Sequence, residues 1–286
     1  MHRFLLHNDK IRDTSEVLLM PGQVGLLNGW GVFSTMRVFD GILFAYERHW
    51  ARMNRDAQLL RVPMPAEPDQ LENLLLALVE ANHARNATLR VAIVRNRGGL
   101  FEGPAVTREF DIIAFTTEVK GWGKNVKLGV VPQARHAGSP FAGTKMLSWS
   151  FNLCWQEAAQ KSGLDEVVLL NERDEVCECT SANIFVAKGN EVGTPPLSSG
   201  CLPGITRELL LGEIHVPDYR VVEKTLRLED LESADEVFIT STTRELLPVT
   251  SITGINVNQN DSARLALQKE FSQYVDDYVA KRSLAV

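Results

Sequence analysis

Apolar positions recur along this chain with two periods. In "GVFSTMRVFDGILFAYERHWARMNRDAQLL" two strand-like runs flank Asp40-Gly41, a dipeptide that marks a tight hairpin. The period then lengthens, and Trp50, Met53, Ala57 and Leu60 fall on one stripe of a predicted helix. "EPDQLENLLLALVEANH" has the pattern of a second amphipathic helix, and "ATLRVAIVR" and "FDIIAFTTEV" those of strands. Together they predict a small α+β domain over residues 1–118. "VKGWGKN" breaks the periodicity with two glycines, which makes 119–125 the expected linker.

Residues 126–286 then predict a larger α/β domain. "VKLGVVPQ" is a predicted strand, and "LSWSFNLCWQEAAQKSG" a helix with Leu147, Phe151, Trp155 and Ala158 as its apolar stripe and Gly163 as its stop. "DEVVLLNERDEVCECTSANIFVAKGNEV" predicts a hairpin and its continuation. "PGITRELLLGEI" opens a further helix, "ADEVFITSTTRELLPV" has the pattern of a strand followed by a loop, and a helix over 261–280 comes last. The fold class expected is α/β (α+β) in two domains.

Composition narrows the class. A chain of 286 residues with 44% hydrophobic and 23% charged positions has the make-up of a globular protein able to bury a sizeable core. A net charge of -6 argues against a broad nucleic-acid footprint or an anionic lipid surface. The expected partner is a small molecule or a second subunit. "MHRFLLHNDK" holds an apolar run too short for a signal peptide, and no stretch reaches the roughly 20 apolar residues of a membrane span. Four cysteines are too few for a disulfide scaffold in a chain of this length, so a cytoplasmic enzyme is the expectation.

Candidate chemistry starts with "DEVCECTSANIF". In a regular strand Val176, Glu178 and Thr180 point one way and Cys177, Cys179 and Ser181 the other. Zinc would need further ligands that neither Cys154, Cys201 nor a spaced histidine pair supplies, so the cysteines are expected to be small core residues and no metal is assigned. Glu178, in a strand that otherwise looks buried, needs a positive partner or a donor. Lys145, in "SPFAGTKMLSWSFN", lies among Met146, Leu147 and Trp149. Apolar surroundings lower a lysine pKa and make a nucleophile. Pro203-Gly204 before Ile205-Thr206 leaves backbone N–H groups at a helix start, where a phosphate can bind or where the helix is simply capped. "ITSTTREL" is a second hydroxyl-rich segment, suited to a phosphate grip or a polar turn. Arg52 can neutralise a phosphate, although Arg48 and Arg55 make a solvated basic face an equal explanation. A lysine, a carboxylate, a helix start, an arginine and hydroxyls are the parts that a pyridoxal phosphate site needs.

With those parts in order, the segment from "GWGVFSTMRVFDG" to "TTRELLPVTSITG" resembles the class IV aminotransferase family, the fold-type IV pyridoxal phosphate enzymes with a D-amino-acid aminotransferase-like fold. The resemblance implies pyridoxal 5′-phosphate as cofactor, a site at the domain interface and a homodimer. It makes Lys145 the Schiff-base lysine and Glu178 of "CECTSANIF" the partner of the pyridine nitrogen. Arg52 of "HWARM", Ile205 and Thr206 of "LPGITRE", and Thr242 become phosphate ligands. Ser241 replaces a glycine of the family's later loop, the tyrosine that branched-chain enzymes place after the lysine is missing from "KMLSWSFN", and their glycine-rich run after the glutamate is "CTSAN" here. "VFSTMRVFDG" and "RVAIVRNRGGL" are similar to segments of the family's 4-amino-4-deoxychorismate lyases, which makes Thr35 a second catalytic candidate. The expected activity is therefore that lyase, with a branched-chain or D-amino-acid aminotransferase as the alternative. A substrate carboxylate would fall to Arg37, Arg95 or Arg97.

Overall fold

The computed structural model describes residues 1–284 except 17, 21, 100, 101, 104 and 105. Leu100, the last residue of "RVAIVRNRGGL", lies outside the described residues. The structure divides into two compact units. One combines Met1–Lys120 with Thr144–Trp149 and Tyr278–Val286, and the other holds Gly121–Gly143 and Ser150–Asp277. Contacts rather than chain order set this division: the short segment carrying Lys145 belongs with the first unit, although it follows the 119–125 segment in sequence.

The first unit contains β1 (Phe4–His7), β2 (Lys10–Asp13), α1 (Val24–Asn28), β3 (Gly31–Phe39), β4 (Ile42–Leu43), α2 (Tyr46–Leu60), α3 (Pro68–Ala81), β5 (Ala87–Arg95) and β6 (Phe110–Thr117). Its six strands form one antiparallel sheet in the order β2-β1-β6-β5-β3-β4. The hairpin expected at Asp40-Gly41 is present, with φ of 49° and 89°, the double left-handed turn that suits strand twist and that glycine adopts without steric cost. α2 and α3 bury their apolar stripes, Met53 and Ala57 on one, Leu71, Leu75 and Leu78 on the other, against Val32, Met36, Leu89, Val91 and Ile93 of the sheet. Truncating a leucine at full burial, such as Leu75→Ala, costs about 2–5 kcal/mol.

The second unit contains β7 (Val126–Arg135), α4 (Ser150–Lys161), β8 (Glu166–Asn171), β9 (Val176–Cys179), β10 (Asn183–Lys188), β11 (Glu191–Thr194), α5 (Ile205–Gly212), β12 (Arg220–Glu223), α6 (Leu228–Glu232), β13 (Glu236–Ser241), β14 (Glu245–Ile252) and most of α7 (Ser262–Ser283). Its eight strands run in the order β12-β11-β10-β13-β14-β7-β8-β9. β7 lies parallel to both neighbours, β14 and β8, so this sheet is mixed. No helix of the described residues is long and apolar enough to cross a membrane.

Two expectations are corrected in this unit. The helix expected from Leu147 starts at Ser150, and Phe151 of its predicted stripe is 72% exposed. The face actually covered runs through Asn152, Trp155 and Ala159, because Trp155 and Ala159 pack on Val167 and Leu169 of β8. The "ELLPV" portion of "TSTTRELLPV" is a strand, not a loop. Leu246, Leu247 and Val249 are buried, and β14 pairs with β13 across a turn closed by Ser241 and Glu245.

Candidate functional site

In the first unit, alternation along β3 sends Val32, Met36 and Val38 into the core and leaves Phe33, Thr35 and Arg37 on the other face. Ser34 points to the core side yet is polar and fully buried. Its hydroxyl accepts from Arg52 Nη2 at 3.0 Å and lies 2.7 Å from His49 Nδ1. The hydroxyl hydrogen then goes to Nδ1, which leaves the histidine proton on Nε2, a buried atom with no hydrogen-bond partner among the described residues. Burial, reinforced by the charges of Arg52 and Lys145, holds His49 well below the ordinary histidine pKa, so it is neutral. His49, Arg52 and Asp56 follow one another at i, i+3 and i+7 of α2, a polar stripe turned inward. Arg52 is 7% exposed, so the solvated basic face considered from sequence does not include it.

The segment holding Lys145 lies along β3. The Phe33 N–H donates to the Lys145 carbonyl at 3.0 Å, Leu147 N–H donates to Gly31 at 2.9 Å, and Val32 bridges Met146. Lys145 Nζ sits 4.7 Å from the centre of the Phe33 ring, which Trp149 meets edge-on at 6.2 Å. The aromatic neighbour of the lysine is therefore Phe33, backed by Trp149, and Arg90 shares it with a guanidinium 4.0 Å from the same ring. Burial lowers the Arg90 pKa from its ordinary value. Arg90 is the direct cross-strand partner of Thr35, which places Thr35, Arg90 and Phe33 on one face. Arg37 lies over the Phe39 ring at 4.5 Å. Arg95 covers Trp30 and donates to the carbonyls of Arg61 and Arg97, while Arg97 pairs with Glu102 at 2.9 Å. Arg90 thus shares an aromatic ring with Lys145, and neither its strand position nor the charge count singles it out in the sequence.

In the second unit the strict alternation expected for Val176–Ser181 fails. β9 carries one residue more than β8 between the pairs Leu170–Val176 and Leu169–Glu178, a bulge at Cys177. Val176 and Cys179 consequently both enter the core, while Cys177 and Glu178 both turn to the loop 199–202. Cys177 Sγ donates to the Ser199 carbonyl, and the Leu202 N–H donates to Glu178 Oε2 at 2.9 Å. The two cysteines of the motif thus lie on different faces, and the bulge re-aims the glutamate. Burial pushes the Cys177 thiol up to about 12 and the Cys179 thiol well above its ordinary value, as suits packing residues.

Glu178, 8% exposed, also has a cationic partner inside its own unit: Arg135 Nε donates to Oε1 at 3.2 Å. Arg135 in turn donates to Asn152 Oδ1 at 3.0 Å, and Asn152 donates to the Thr180 carbonyl at 2.7 Å. Arg135 does not stand out in the sequence. It projects from β7 after a register shift past Val131, with Gln133 at a φ of 50°, and such irregularities leave no periodic trace. The loop that caps Glu178 continues into α5, whose N-cap Gly204 makes no side-chain cap hydrogen bond. Ile205 and Thr206 at its start are buried. A side chain at Gly204 would collide with Oδ1 of Asn183. Thr242 lies half-buried in the β13–β14 turn. Next to that turn, Arg244 donates to Glu166 at 3.1 Å and to the Ser181 carbonyl at 3.0 Å, and covers Trp122 at 3.9 Å. Glu166 also accepts from the Thr180 N–H at 3.2 Å and the Ser181 hydroxyl at 2.7 Å.

Known proteins resemble this chain over most of its length. The model of the amino-transferase class IV family matches residues 31–252. D-alanine aminotransferase of Bacillus licheniformis is 30% identical over 251 residues, which cover 87% of this chain and 88% of that one. Aminodeoxychorismate lyase of Bacillus subtilis (strain 168) is 26% identical over 285 residues, 96% of both chains. A hypothetical aminotransferase from Mycobacterium tuberculosis, solved in its PLP-bound form, superposes with a TM-score of 0.84 at 21% identity, covering 96% of this chain and 99% of that one. The chain belongs to the class IV aminotransferase family, whose members are pyridoxal phosphate-dependent aminotransferases and lyases.

Proposed function

We propose that this protein is a pyridoxal phosphate-dependent 4-amino-4-deoxychorismate lyase, releasing 4-aminobenzoate and pyruvate. The observation that carries the proposal is the pairing of Thr35 with Arg90 on the face that holds Phe33 and Lys145. A proton-relaying hydroxyl and a carboxylate-binding guanidinium are what elimination of a carboxylated fragment asks of the chain. The residues fit the cofactor. The start of α5 offers backbone N–H groups, no competing side-chain cap and the Thr206 hydroxyl for a phosphate, and Glu178 offers a fixed carboxylate for a protonated ring nitrogen.

Pyridoxal phosphate, when bound, supplies an electron-accepting ring that spreads the negative charge left on the carbon bearing the substrate amine. Lys145 would hold the cofactor until the substrate amine displaces it, and its freed Nζ would then take the proton from that carbon. Glu178 keeps the ring nitrogen protonated, because an adjacent anion raises that nitrogen's pKa. Arg52, Ile205, Thr206 and Thr242 bind the phosphate. Arg90 orients a substrate carboxylate, and the Thr35 hydroxyl relays a proton, help of a kind that contributes roughly 10²- to 10⁴-fold. Large apolar side chains left exposed in the second unit, Phe141, Phe151, Leu153 and Leu197, support a homodimer, and the working enzyme is cytoplasmic.

The second reading, an amino-acid aminotransferase, is favoured by the 30% identity to D-alanine aminotransferase. Two assays separate them: release of 4-aminobenzoate from aminodeoxychorismate, and amino exchange between leucine or D-alanine and 2-oxoglutarate. The lyase predicts the first, with little of the second. Exchange without 4-aminobenzoate release would overturn it, and a wild-type protein that takes up no pyridoxal phosphate would overturn both.

A further inference from the structure

We infer that Asp56 is a positioning residue that fixes the backbone of Lys145 and so aims its amine; the inference rests on Lys145 being the cofactor lysine. Asp56 is fully buried on α2, one turn beyond Arg52. Its Oδ2 accepts the Lys145 N–H at 3.0 Å. Its other oxygen accepts from Arg55 Nε at 3.0 Å, so both oxygens are engaged. The Lys145 carbonyl is already held by the Phe33 N–H at 3.0 Å. In a continued antiparallel ladder the Lys145 N–H would also go to β3. It goes instead to a side chain of a helix, and Lys145 is thereby anchored on both sides of its Cα. The anchoring fixes the direction in which the side chain leaves, toward Phe33, where Nζ lies 4.7 Å from the ring centre.

A charge-assisted hydrogen bond to a buried peptide is stronger than a neutral one and confers a defined geometry. α2 therefore serves the cofactor twice, with Arg52 for its phosphate and Asp56 for the lysine that captures its aldehyde. Asp56 touches neither substrate nor cofactor in this role and acts only through Lys145.

The test compares two ligands that differ in their need for the lysine. Pyridoxal 5′-phosphate gains affinity from its bond to Lys145, whereas pyridoxamine 5′-phosphate has no aldehyde and cannot form it. Asp56→Ala should bind pyridoxal phosphate about 10- to 100-fold more weakly and slow borohydride fixation of the cofactor, with pyridoxamine phosphate affinity changed by no more than about twofold. Asp56→Asn keeps an acceptor for the Lys145 N–H and should recover most of the lost affinity. Asp56→Leu, which fills the space without an acceptor, repeats the test should the alanine variant not fold. Equal loss of both ligands, or no rescue by asparagine, assigns Asp56 a merely structural role and overturns the inference. Lys145→Ala reports separately on the underlying assignment. If it leaves the preference for the aldehyde intact, Lys145 is not the cofactor lysine, whatever Asp56 does.

Discussion

The two units bury their charges in different ways. In the first, three members of the polar cluster come from one helix at i, i+3 and i+7, and the fourth, Ser34, from the adjoining strand. In the second, Glu166 gathers Thr180, Ser181 and Arg244, partners between 14 and 78 residues away in sequence. The first cluster is built on a periodic element and is complete once α2 packs on β3 and the segment carrying Lys145 pairs beside it. The second exists only when β8, the turn after β9 and the β13–β14 hairpin are all assembled. In the first unit Arg52 donates to a hydroxyl beside a neutral imidazole, and the buried carboxylate of Asp56 pairs with Arg55, a half-exposed arginine. In the second, Arg244 meets Glu166 with both side chains almost completely buried. The second cluster should therefore be the more costly to cut.

The largest expected effect tests that contrast. Arg244→Met removes the cation beside Glu166 and leaves a carboxylate buried with N–H and O–H donors alone. Breaking one side of a buried pair costs about 3–5 kcal/mol. Ser34→Ala, the equivalent cut in the first unit, removes a hydroxyl that accepts from the Arg52 guanidinium and should cost about 1.5–3 kcal/mol. Urea unfolding of the cofactor-free protein, followed separately for each unit by local probes, measures both. Similar losses in the two variants would abolish the distinction between the clusters.

The same contrast explains what the sequence discloses. α2 is legible because a helix repeats: its apolar stripe defines it, and Arg52 stands out as a phosphate candidate. Lys145 and Glu178 are legible as unusual charges among apolar neighbours. Arg135 and Arg90 are not, since each acquires its role only through strand pairing. The bulge at Cys177 is equally hidden, because an inserted residue reads as continued alternation until the partner strand is known. Asp56 is inconspicuous next to Arg55, as adjacent opposite charges on a helix usually signify a solvated pair. The exposed face of α4 misleads for a related reason: Phe151 has the right spacing for a core that this chain does not supply.

A smaller effect concerns the glutamate that the bulge re-aims. Glu178→Gln retains an acceptor for the Leu202 N–H but loses the charge that matches Arg135 and would hold the ring nitrogen protonated. Its kcat should fall about 10²-fold. Pyridoxal phosphate affinity should fall by only a few-fold, because the phosphate ligands are untouched. A variant that loses its cofactor but keeps wild-type kcat when saturated would show that Glu178 contributes binding and not proton chemistry.

The smallest effect belongs to His49 and appears as a pH dependence. Its pKa in the folded protein is depressed, first by burial and then by the positive charges of Arg52 and Lys145. In the unfolded chain it returns to about 6.5. Below that pH the unfolded state binds a proton that the folded state does not, so stability is fully present above about pH 6.5 and declines as the pH falls. One such group contributes a slope of at most about 1.4 kcal/mol per pH unit, hence about 1–2 kcal/mol between about pH 6.5 and 5. His49→Gln keeps an acceptor toward Ser34 and removes the titration. The difference in unfolding free energy between wild type and variant should therefore be constant above about pH 7 and shift in favour of the variant as the pH drops to about 5. Carboxylates elsewhere affect both proteins alike and cancel in that difference. A difference that stayed flat across the range would mean that the folded protein accommodates a protonated His49 beside Arg52, and the polar stripe of α2 would then lack the neutral imidazole assigned to it.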